Sequence, residues 1–315
     1  MKHQEMQVSA IRDVTETIRE FHLVASDGSA LAAYTPGAHI SIDIPKIGTR
    51  HYSLVFPAQT GAPYVIATQR EDNGRGGSRW MHENLQEGSR IAIGAPRNNF
   101  PLVDDAESYL LIAGGIGLTP LLCMAQHLRH AGRRFTLLAS ARSWERLPYR
   151  KELLALQAQG MASITIDGGD PGEGIDIERV MADLSGNTHV YCCGPNPMMQ
   201  RVRRAETTLP PSHIHFEAFS AAPEARLVPA AEFDVQVDGK IIHIAANESI
   251  LSALGRHGIE VDSSCGEGYC GSCLTRYTSG MPIHRDTVMS EDERCRYVAV
   301  CTARAQPGST LVLDL

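Results

Sequence analysis

The stretch CGEGYCGSC, residues 265–273, contains three of the chain's eight cysteines and three of its glycines. The spacing Cys265-x4-Cys270-x2-Cys273 is that of cysteine ligands to a [2Fe–2S] cluster, which needs a fourth, distant cysteine. The glycines allow a tight turn that points backbone N–H groups at sulfur. Zinc sites more often use two separated C-x2-C pairs, and only one is present here. The pattern predicts a [2Fe–2S] site, with a zinc site or redox-active thiols as the alternatives.

Two cysteines compete for the fourth ligand position. Cys295 lies in the polar segment SEDERCR, whereas Cys301 closes the apolar run YVAV. A ligand to a buried cluster belongs at the end of a core strand, so we predict Cys301.

The composition and charge of the chain limit the classes of protein to which it can belong. The chain has 315 residues, 43% hydrophobic and 21% charged, which is typical of a globular protein with more than one domain. It shows no signal-peptide pattern and no apolar run of about 18 residues, so we expect a cytoplasmic protein without a membrane span. A net charge of −7 argues against nucleic acid as a partner. Residues 231–315 hold twelve acidic and seven basic residues, so −5 of that charge lies there.

The pattern of hydrophobic residues divides the chain into blocks. Short strands separated by turns fill residues 1–103, which indicates an antiparallel barrel or sandwich. Apolar strands alternate with helices over 104–222, which predicts a parallel sheet covered on both faces. A Pro/Ala-rich linker covers 223–231. The block 232–315 opens with two strands joined by Asp238-Gly239, a strong hairpin signal.

Two motifs in the first block indicate a phosphate-bearing ligand. RHYS (50–53) is predicted at the head of a strand. In GRGGSRW (74–80), the glycines are followed by Ser78 and a predicted helix. Glycines at a helix start offer free N–H groups to an anion, and the planar guanidinium of Arg50 suits a phosphate.

Two glycine motifs in the second block connect strands to helices. They are AGGIGLTP (113–120) and CCGPNPMM (192–199). Glycines permit a pyrophosphate to approach the helix N-terminus closely, although Pro120 breaks the full G-x-G-x-x-G pattern. By strand register Cys193 and Cys192 lie on opposite faces.

Together these motifs resemble the phthalate dioxygenase reductase family over essentially the whole chain. RHYS is similar to the R-x-Y-S motif of flavin reductases, CGP to a nicotinamide motif, and the cysteine loop to a plant-type ferredoxin. The resemblance implies a multidomain protein. It would have an FMN-binding antiparallel β-barrel domain (1–103), an NAD-binding α/β domain with a parallel sheet (104–222) and an α+β β-grasp ferredoxin domain (232–315).

The resemblance also implies residue roles. Arg50 would bind the flavin phosphate, Tyr52 would pack on the ring, and Ser53 would hydrogen-bond its reactive edge. The terminal phosphate would lie at the glycine-rich helix start, which favours FMN over FAD. The remaining predicted flavin contacts are Thr68, Gln69, Gly76, Gly77 and Ser78. The predicted contacts to the nicotinamide nucleotide are Gly114, Gly115, Gly117, Thr119, Cys193, Gly194 and Pro195, with Arg142 at the adenosine ribose. Phe219 would stack over the flavin ring. Thr119 could instead cap the helix.

The implied function is electron transfer. NADH would reduce FMN, and electrons would pass singly through the [2Fe–2S] cluster to a Rieske-type oxygenase that acts on an aromatic acid or a quaternary ammonium compound. No acid or base is needed; Ser53, Thr119, Cys193 and Phe219 would position the hydride transfer. NADPH stays open as a substrate, and we expect a monomer. The alternatives are a stand-alone flavin reductase of diaphorase type and a non-enzymatic zinc module. The triplet HRD (284–286) is predicted to be a surface loop.

Overall fold

The computed structural model describes residues 3–72, 74, 76–184, 186–219, 231–263, 266, 268, 271–286, 288–289 and 291–315. The chain divides into two compact units, Met1–Glu217 and Ala218–Leu315. Among the described residues, no helix has the length and apolar character needed to cross a membrane.

The first sheet is antiparallel and closes into a barrel. Its elements are β1 Gln4–Asp13, β2 Ile18–Ala25, β3 His39–Ile44, β4 Gly48–Ser53, β5 Tyr64–Gln69, helix α1 Gly77–Asn84 and β6 Arg90–Ile93. The strand order is β4-β3-β6-β1-β2-β5. The two outer strands meet just past β4, where Leu54 bridges Ile66 and the Val55 N–H donates to the Val65 carbonyl at 2.9 Å. The alternating apolar residues, such as Phe21 and Ile40, fill the interior.

The second sheet is parallel and has helices between its strands. Its elements are β7 Ser108–Gly114, α2 Leu118–His130, β8 Phe135–Ala141, α3 Arg150–Ala158, β9 Ala162–Ile166, α4 Ile177–Ala182, β10 Thr188–Cys193, α5 Asn196–Arg204 and β11 Ile214–Glu217. The order β11-β10-β7-β8-β9 means that the chain starts at β7, builds outward on one side, and then crosses to the other. Ligands bind such sheets where the direction of winding reverses, at the carboxyl ends of the strands. Here that point lies between β7 and β10.

The second unit contains a mixed sheet. Its elements are β12 Phe233–Val237, β13 Lys240–Ile244, α6 Ile250–Arg256, β14 Leu274–Ser279, β15 Pro282–Ile283, α7 Glu291–Arg294, β16 Tyr297–Ala299, β17 Arg304–Ala305 and β18 Thr310–Asp314. The order is β13-β12-β18-β14-β16, so β18 is the central strand. Asp238 and Gly239 have φ values of 49° and 76° and form the predicted hairpin turn. The Ser249 hydroxyl accepts the Ser252 N–H at 3.1 Å and caps α6.

The three larger sheets lie within the three predicted blocks, and β15 and β17 form a separate two-stranded sheet in the third block. The first two blocks share one hydrophobic core, in which Val55 and Val65 of the barrel join Leu111 and Leu137 of the parallel sheet. The boundaries near residues 103 and 222 stay predictions. The predicted linker lies outside the described residues, except for residue 231.

Candidate functional site

Two of the four predicted cluster ligands lie together in the core of the second unit. Cys273 and Cys301 are both buried, and their sulfurs lie 3.1 Å apart. That distance exceeds the ~2.05 Å of a disulfide, and neither residue forms one. It is short enough for both thiolates to bind one metal atom, because metal–thiolate bonds are about 2.3 Å long in zinc sites. Cys265 and Cys270 lie outside the described residues.

The rejected candidate, Cys295, lies in a different setting. It is exposed and follows the short helix α7, within the polar segment SEDERCR. Cys301 follows β16 after one residue and joins the same core as Cys273. The donor set at the buried pair therefore fits a thiolate-ligated cluster.

The HRD triplet lies in a loop, as predicted, but Asp286 is buried rather than at the surface. Its Oδ2 atom accepts the Met289 N–H at 3.1 Å, and the Arg294 guanidinium donates to its carbonyl at 2.8 Å. A Cβ added to Gly268 would lie 3.0 Å from the Asp286 Cα and 2.6 Å from the Thr302 Oγ1. Asp286 therefore packs against Gly268 of the cysteine loop.

The predicted phosphate site is a close contact between Arg50 and Gly77. A Cβ on Gly77 would lie 2.9 Å from the Arg50 Cγ and 3.2 Å from its Nε, so only glycine leaves room for the side chain there. Gly76 precedes α1 in the left-handed region at φ 81°, which favours glycine. The guanidinium and the first N–H groups of α1 thus lie together, and this cradle fits a flavin phosphate.

The other predicted flavin residues surround β4 and β5. RHYS lies at the carboxyl end of β4, so its prediction at the head of a strand was wrong. Thr68 is buried, and the His82 ring nitrogen contacts its carbonyl at 2.9 Å, while Gln69 is exposed at the end of β5. The Ser78 hydroxyl accepts the Glu71 N–H at 3.1 Å and so holds the glycine-rich loop. Their roles toward the flavin stay predictions.

The two glycine motifs meet at the point where the winding of the parallel sheet reverses. A Cβ on Gly117 would lie 2.3 Å from the Cys193 carbonyl oxygen, and one on Gly194 would lie 2.9 Å from the Gly114 nitrogen. A Cβ on Gly114 would lie 2.5 Å from the Pro195 Cδ. The backbones of both loops can approach this closely only because the three positions are glycine. Gly115 lies between them with φ 54°.

Three further predicted residues have different environments. Thr119 is buried, and its hydroxyl donates to the Ile116 carbonyl at 3.0 Å; the residue before α2 is Gly117, so Thr119 is not the helix cap. Arg142 is exposed after β8, and its side chain lies beside Gly169. Phe219 is 37% exposed and belongs to the second unit.

A hydrogen bond joins the barrel to the parallel sheet at this edge. The Ser53 hydroxyl, at the end of β4, donates to the Glu217 Oε2 atom at 3.2 Å. Glu217 pairs with Cys193 in the register of β11 with β10. Ser53 and Cys193, predicted from separate motifs, are therefore both neighbours of one carboxyl group.

Burial sets the protonation states of Glu217 and Cys193. It raises the Glu217 pKa to about 8, although the Ser53 hydrogen bond acts in the opposite direction. Burial, reinforced by Glu217, also raises the Cys193 pKa well above its usual value. The Cys193 thiol is therefore neutral at physiological pH.

We expect Glu217→Gln to remove a pH-dependent loss of stability. Because the folded pKa is raised from 4.5 to about 8, the stabilising contribution is complete below pH 4.5 and is lost as the pH rises toward 8. The shift corresponds to at most roughly 5 kcal/mol, and to less because Glu217 is only half-buried. Thermal unfolding of the apoprotein between about pH 5 and pH 9 measures it. The wild type should lose several degrees more than Glu217→Gln, and equal losses would contradict the assignment.

Sequence reasoning missed Glu217 and Asp167. Glu217 is a lone carboxylate at the end of the edge strand IHFE, two residues before the predicted aromatic contact Phe219, and this position is the sequence signal that could have identified it. Asp167 follows β9, and its Oδ2 atom accepts the Ser140 hydroxyl at 2.6 Å. Both pairings cross between strands that are distant in sequence, which spacing along the chain does not reveal.

Known protein families share this arrangement of a nucleotide domain followed by a cysteine-ligated cluster domain. Residues 111–204 match the model of the oxidoreductase NAD-binding domain, and 234–306 match that of the 2Fe-2S iron-sulfur cluster binding domain. The reductase subunit of tert-butanol monooxygenase / tert-amyl alcohol desaturase from Aquincola tertiaricarbonis is 36% identical, over 95% of this chain and 92% of its own length.

Two solved structures extend the comparison. A type IV self-sufficient cytochrome P450 monooxygenase aligns with a TM-score of 0.79 at 32% identity, over 99% of this chain and 41% of that one. The structure of phthalate dioxygenase reductase aligns with a TM-score of 0.77 at 37% identity, over 99% of this chain and 98% of that one. With its flavin cradle, paired nucleotide loops and buried cysteine pair, the chain belongs to the phthalate dioxygenase reductase family.

Proposed function

We propose that the protein is the NADH-dependent reductase of an oxygenase system. The observation that best supports this function is that Ser53 and Cys193 are both neighbours of Glu217. The predicted flavin strand of the barrel therefore lies at the predicted nucleotide edge of the parallel sheet. Bound FMN would supply the chemistry that converts a hydride from NADH into single electrons, and a [2Fe–2S] cluster would carry those electrons onward.

The residues of the chain bind and orient. Arg50 and the start of α1 hold the flavin phosphate, and the loops at Gly117 and Gly194 admit the pyrophosphate of the nucleotide. Glu217 holds the Ser53 hydroxyl in place at the carboxyl end of β4. The neutral Cys193 side chain is 1% exposed and excludes water from the strand end. Cys273 and Cys301 supply half of the cluster ligands.

We infer a preference for NADH over NADPH. The Asp167 carboxylate is held by the Ser140 hydroxyl at 2.6 Å and the Gly169 N–H at 2.9 Å, at the carboxyl edge of the sheet. A carboxylate there suits the hydroxyls of an adenosine ribose and repels a 2′-phosphate. Arg142 lies beside Gly169 and is the residue that would favour NADPH.

The partner is an oxygenase, and we propose the Rieske type. Several of the similar reductases are named after separate oxygenase systems, such as phthalate dioxygenase and vanillate O-demethylase. The fused P450 relative makes a cytochrome P450 the second candidate. The acidic block 231–315 predicts docking against a basic face of the partner. The cytoplasmic location and the monomeric state stay predictions.

Anaerobic titration with NADH tests the function. The purified protein should contain FMN, two irons and two acid-labile sulfides, and NADH should bleach both the flavin and the cluster absorption. Bleaching of the flavin alone would indicate the stand-alone flavin reductase. Zinc without visible absorption would overturn the proposal.

Arg50→Ala should weaken FMN binding by about 10–100-fold. The reason is the loss of a charge-assisted, planar contact worth roughly 1.5–3 kcal/mol. Fluorescence titration of the apoprotein with FMN measures the dissociation constant. Arg90→Ala is the matched control, because Arg90 lies on the same barrel, where it forms an exposed ion pair with Glu5 at 2.8 Å. An unchanged affinity in Arg50→Ala would rule out the cradle as the phosphate site.

A further inference from the structure

A buried carboxylate outside the redox site joins the barrel to the parallel sheet. The Glu20 side chain, on β2, is 1% exposed, and its two oxygens contact three donors. His22 Nε2 lies 2.8 Å from Oε1, while Arg12 Nη2 at 3.0 Å and the Tyr149 hydroxyl at 2.9 Å contact Oε2. A buried carboxylate is costly unless it is fully paired, so this set of contacts is selective for one arrangement of the chain.

Tyr149 reaches Glu20 from a strained backbone. It precedes α3 with φ 52° and ψ 39°, a left-handed conformation that a bulky side chain rarely adopts. Such strain persists only where the surroundings over-determine the position. Here the ring meets Phe56 edge-on at 5.9 Å, the carbonyl accepts the Leu153 N–H at 3.0 Å to begin α3, and the hydroxyl donates to Glu20.

The two ends of this bond belong to the two halves of the redox site. Glu20 pairs with Ala67 on β5, and its neighbour Arg19 pairs with Thr68, the predicted flavin contact. Tyr149 ends the loop that begins at Arg142, beside the Asp167 carboxylate assigned to the nucleotide ribose. The bond therefore connects the flavin strand to the adenosine side of the nucleotide site.

We propose that Glu20 and Tyr149 form a positioning pair that fixes the nucleotide loop 142–149 against the flavin strand. This proposal rests on the proposed function, because fixing the loop would matter by setting the geometry of hydride transfer from NADH to the flavin. Displacements of about 1 Å in a bound reactant can slow a reaction roughly 100-fold. Both side chains are buried within the first unit, so we expect the pair to affect alignment rather than FMN binding.

Tyr149→Phe tests the pair by removing one hydroxyl and keeping the ring. In the FMN-loaded protein, we expect the rate constant of flavin reduction at saturating NADH to fall about tenfold, while the FMN dissociation constant changes less than about twofold. In the apoprotein, amide hydrogen exchange at the start of α3 should accelerate about tenfold. Tyr64→Phe is the matched control, because the Tyr64 hydroxyl donates to the Ala32 carbonyl at 2.7 Å within the barrel alone. It should change neither measurement.

A double variant tests the pair even if the Tyr149→Phe protein fails to fold. Glu20→Leu with Tyr149→Phe replaces both polar groups by apolar ones, which often preserves stability, and leaves the half-exposed Arg12 to water. It should fold and still reduce flavin about tenfold more slowly. Reduction at the wild-type rate in either variant would overturn the proposal. Failure of the wild type to bind FMN or oxidise NADH would instead overturn the proposed function, and hydrogen exchange would still decide whether the pair holds the loop.

Discussion

Cys301→Ser is expected to abolish the [2Fe–2S] cluster, whereas Cys295→Ser should keep it. Cys301 is buried with its sulfur 3.1 Å from that of Cys273, while Cys295 is exposed after α7. Serine cannot supply the soft thiolate that holds iron in such clusters. Electron transfer from NADH to a one-electron acceptor protein should fall by roughly 100-fold or more, because the exit route from the flavin is lost.

Iron and acid-labile sulfide analysis checks the first effect, and ferricyanide reduction by NADH separates it from misfolding. Ferricyanide can take electrons from the flavin directly, so Cys301→Ser should retain that activity within about twofold. A Cys301→Ser protein with two irons, or a Cys295→Ser protein with none, would show that the fourth ligand is misassigned.

Gly117→Ala should disable the nucleotide site by steric conflict alone. Gly117 has φ −61°, which alanine adopts freely, but the new Cβ would lie 2.3–2.8 Å from backbone atoms of Cys193 and Gly194. Backbone cannot rotate away as a side chain can, so the two loops must separate. A displacement near 1 Å should slow flavin reduction by NADH roughly 100-fold. Stopped-flow reduction at saturating NADH measures it, with FMN content unchanged.

Gly115→Ala is a control of the opposite kind in the same loop. Gly115 has φ 54° and open space around an added Cβ, so alanine there costs only about 1–2 kcal/mol of backbone strain. We expect it to lower thermal stability modestly while flavin reduction stays within about threefold of the wild type. Equal losses in both variants would mean that loop conformation, rather than close packing of the two loops, limits the reaction.

Local sequence patterns predicted most of the elements. Period-two alternation and turn residues marked the barrel strands. Asp238-Gly239 marked the β12–β13 hairpin of the second unit, because both residues need a positive φ. The continuous apolar runs of β7 and β10 marked strands buried on both faces. The choice of Cys301 followed from the apolar run before it.

Charged residues whose burial depends on distant partners were not predictable. Glu20, Glu217 and Asp286 look like ordinary surface acids in sequence, and each is held by a contact that the folded chain creates. Asp286 was assigned to a surface loop for this reason. The alternation along β2 does not reveal that Tyr149, 129 residues away, supplies a hydroxyl to Glu20.

The position of β18 has a consequence for biosynthesis. This strand, Thr310–Asp314, lies between β12 and β14 and is translated after every other strand of its sheet. Domains generally fold as units while a chain is made at about 5–20 residues per second. The first unit can thus fold on the ribosome, while the second unit lacks its central strand until residue 314 has emerged. For roughly 5–20 s the nascent chain can carry a complete flavin and nucleotide unit without an outlet for electrons. Cluster insertion into the second unit should therefore follow the folding of the first unit.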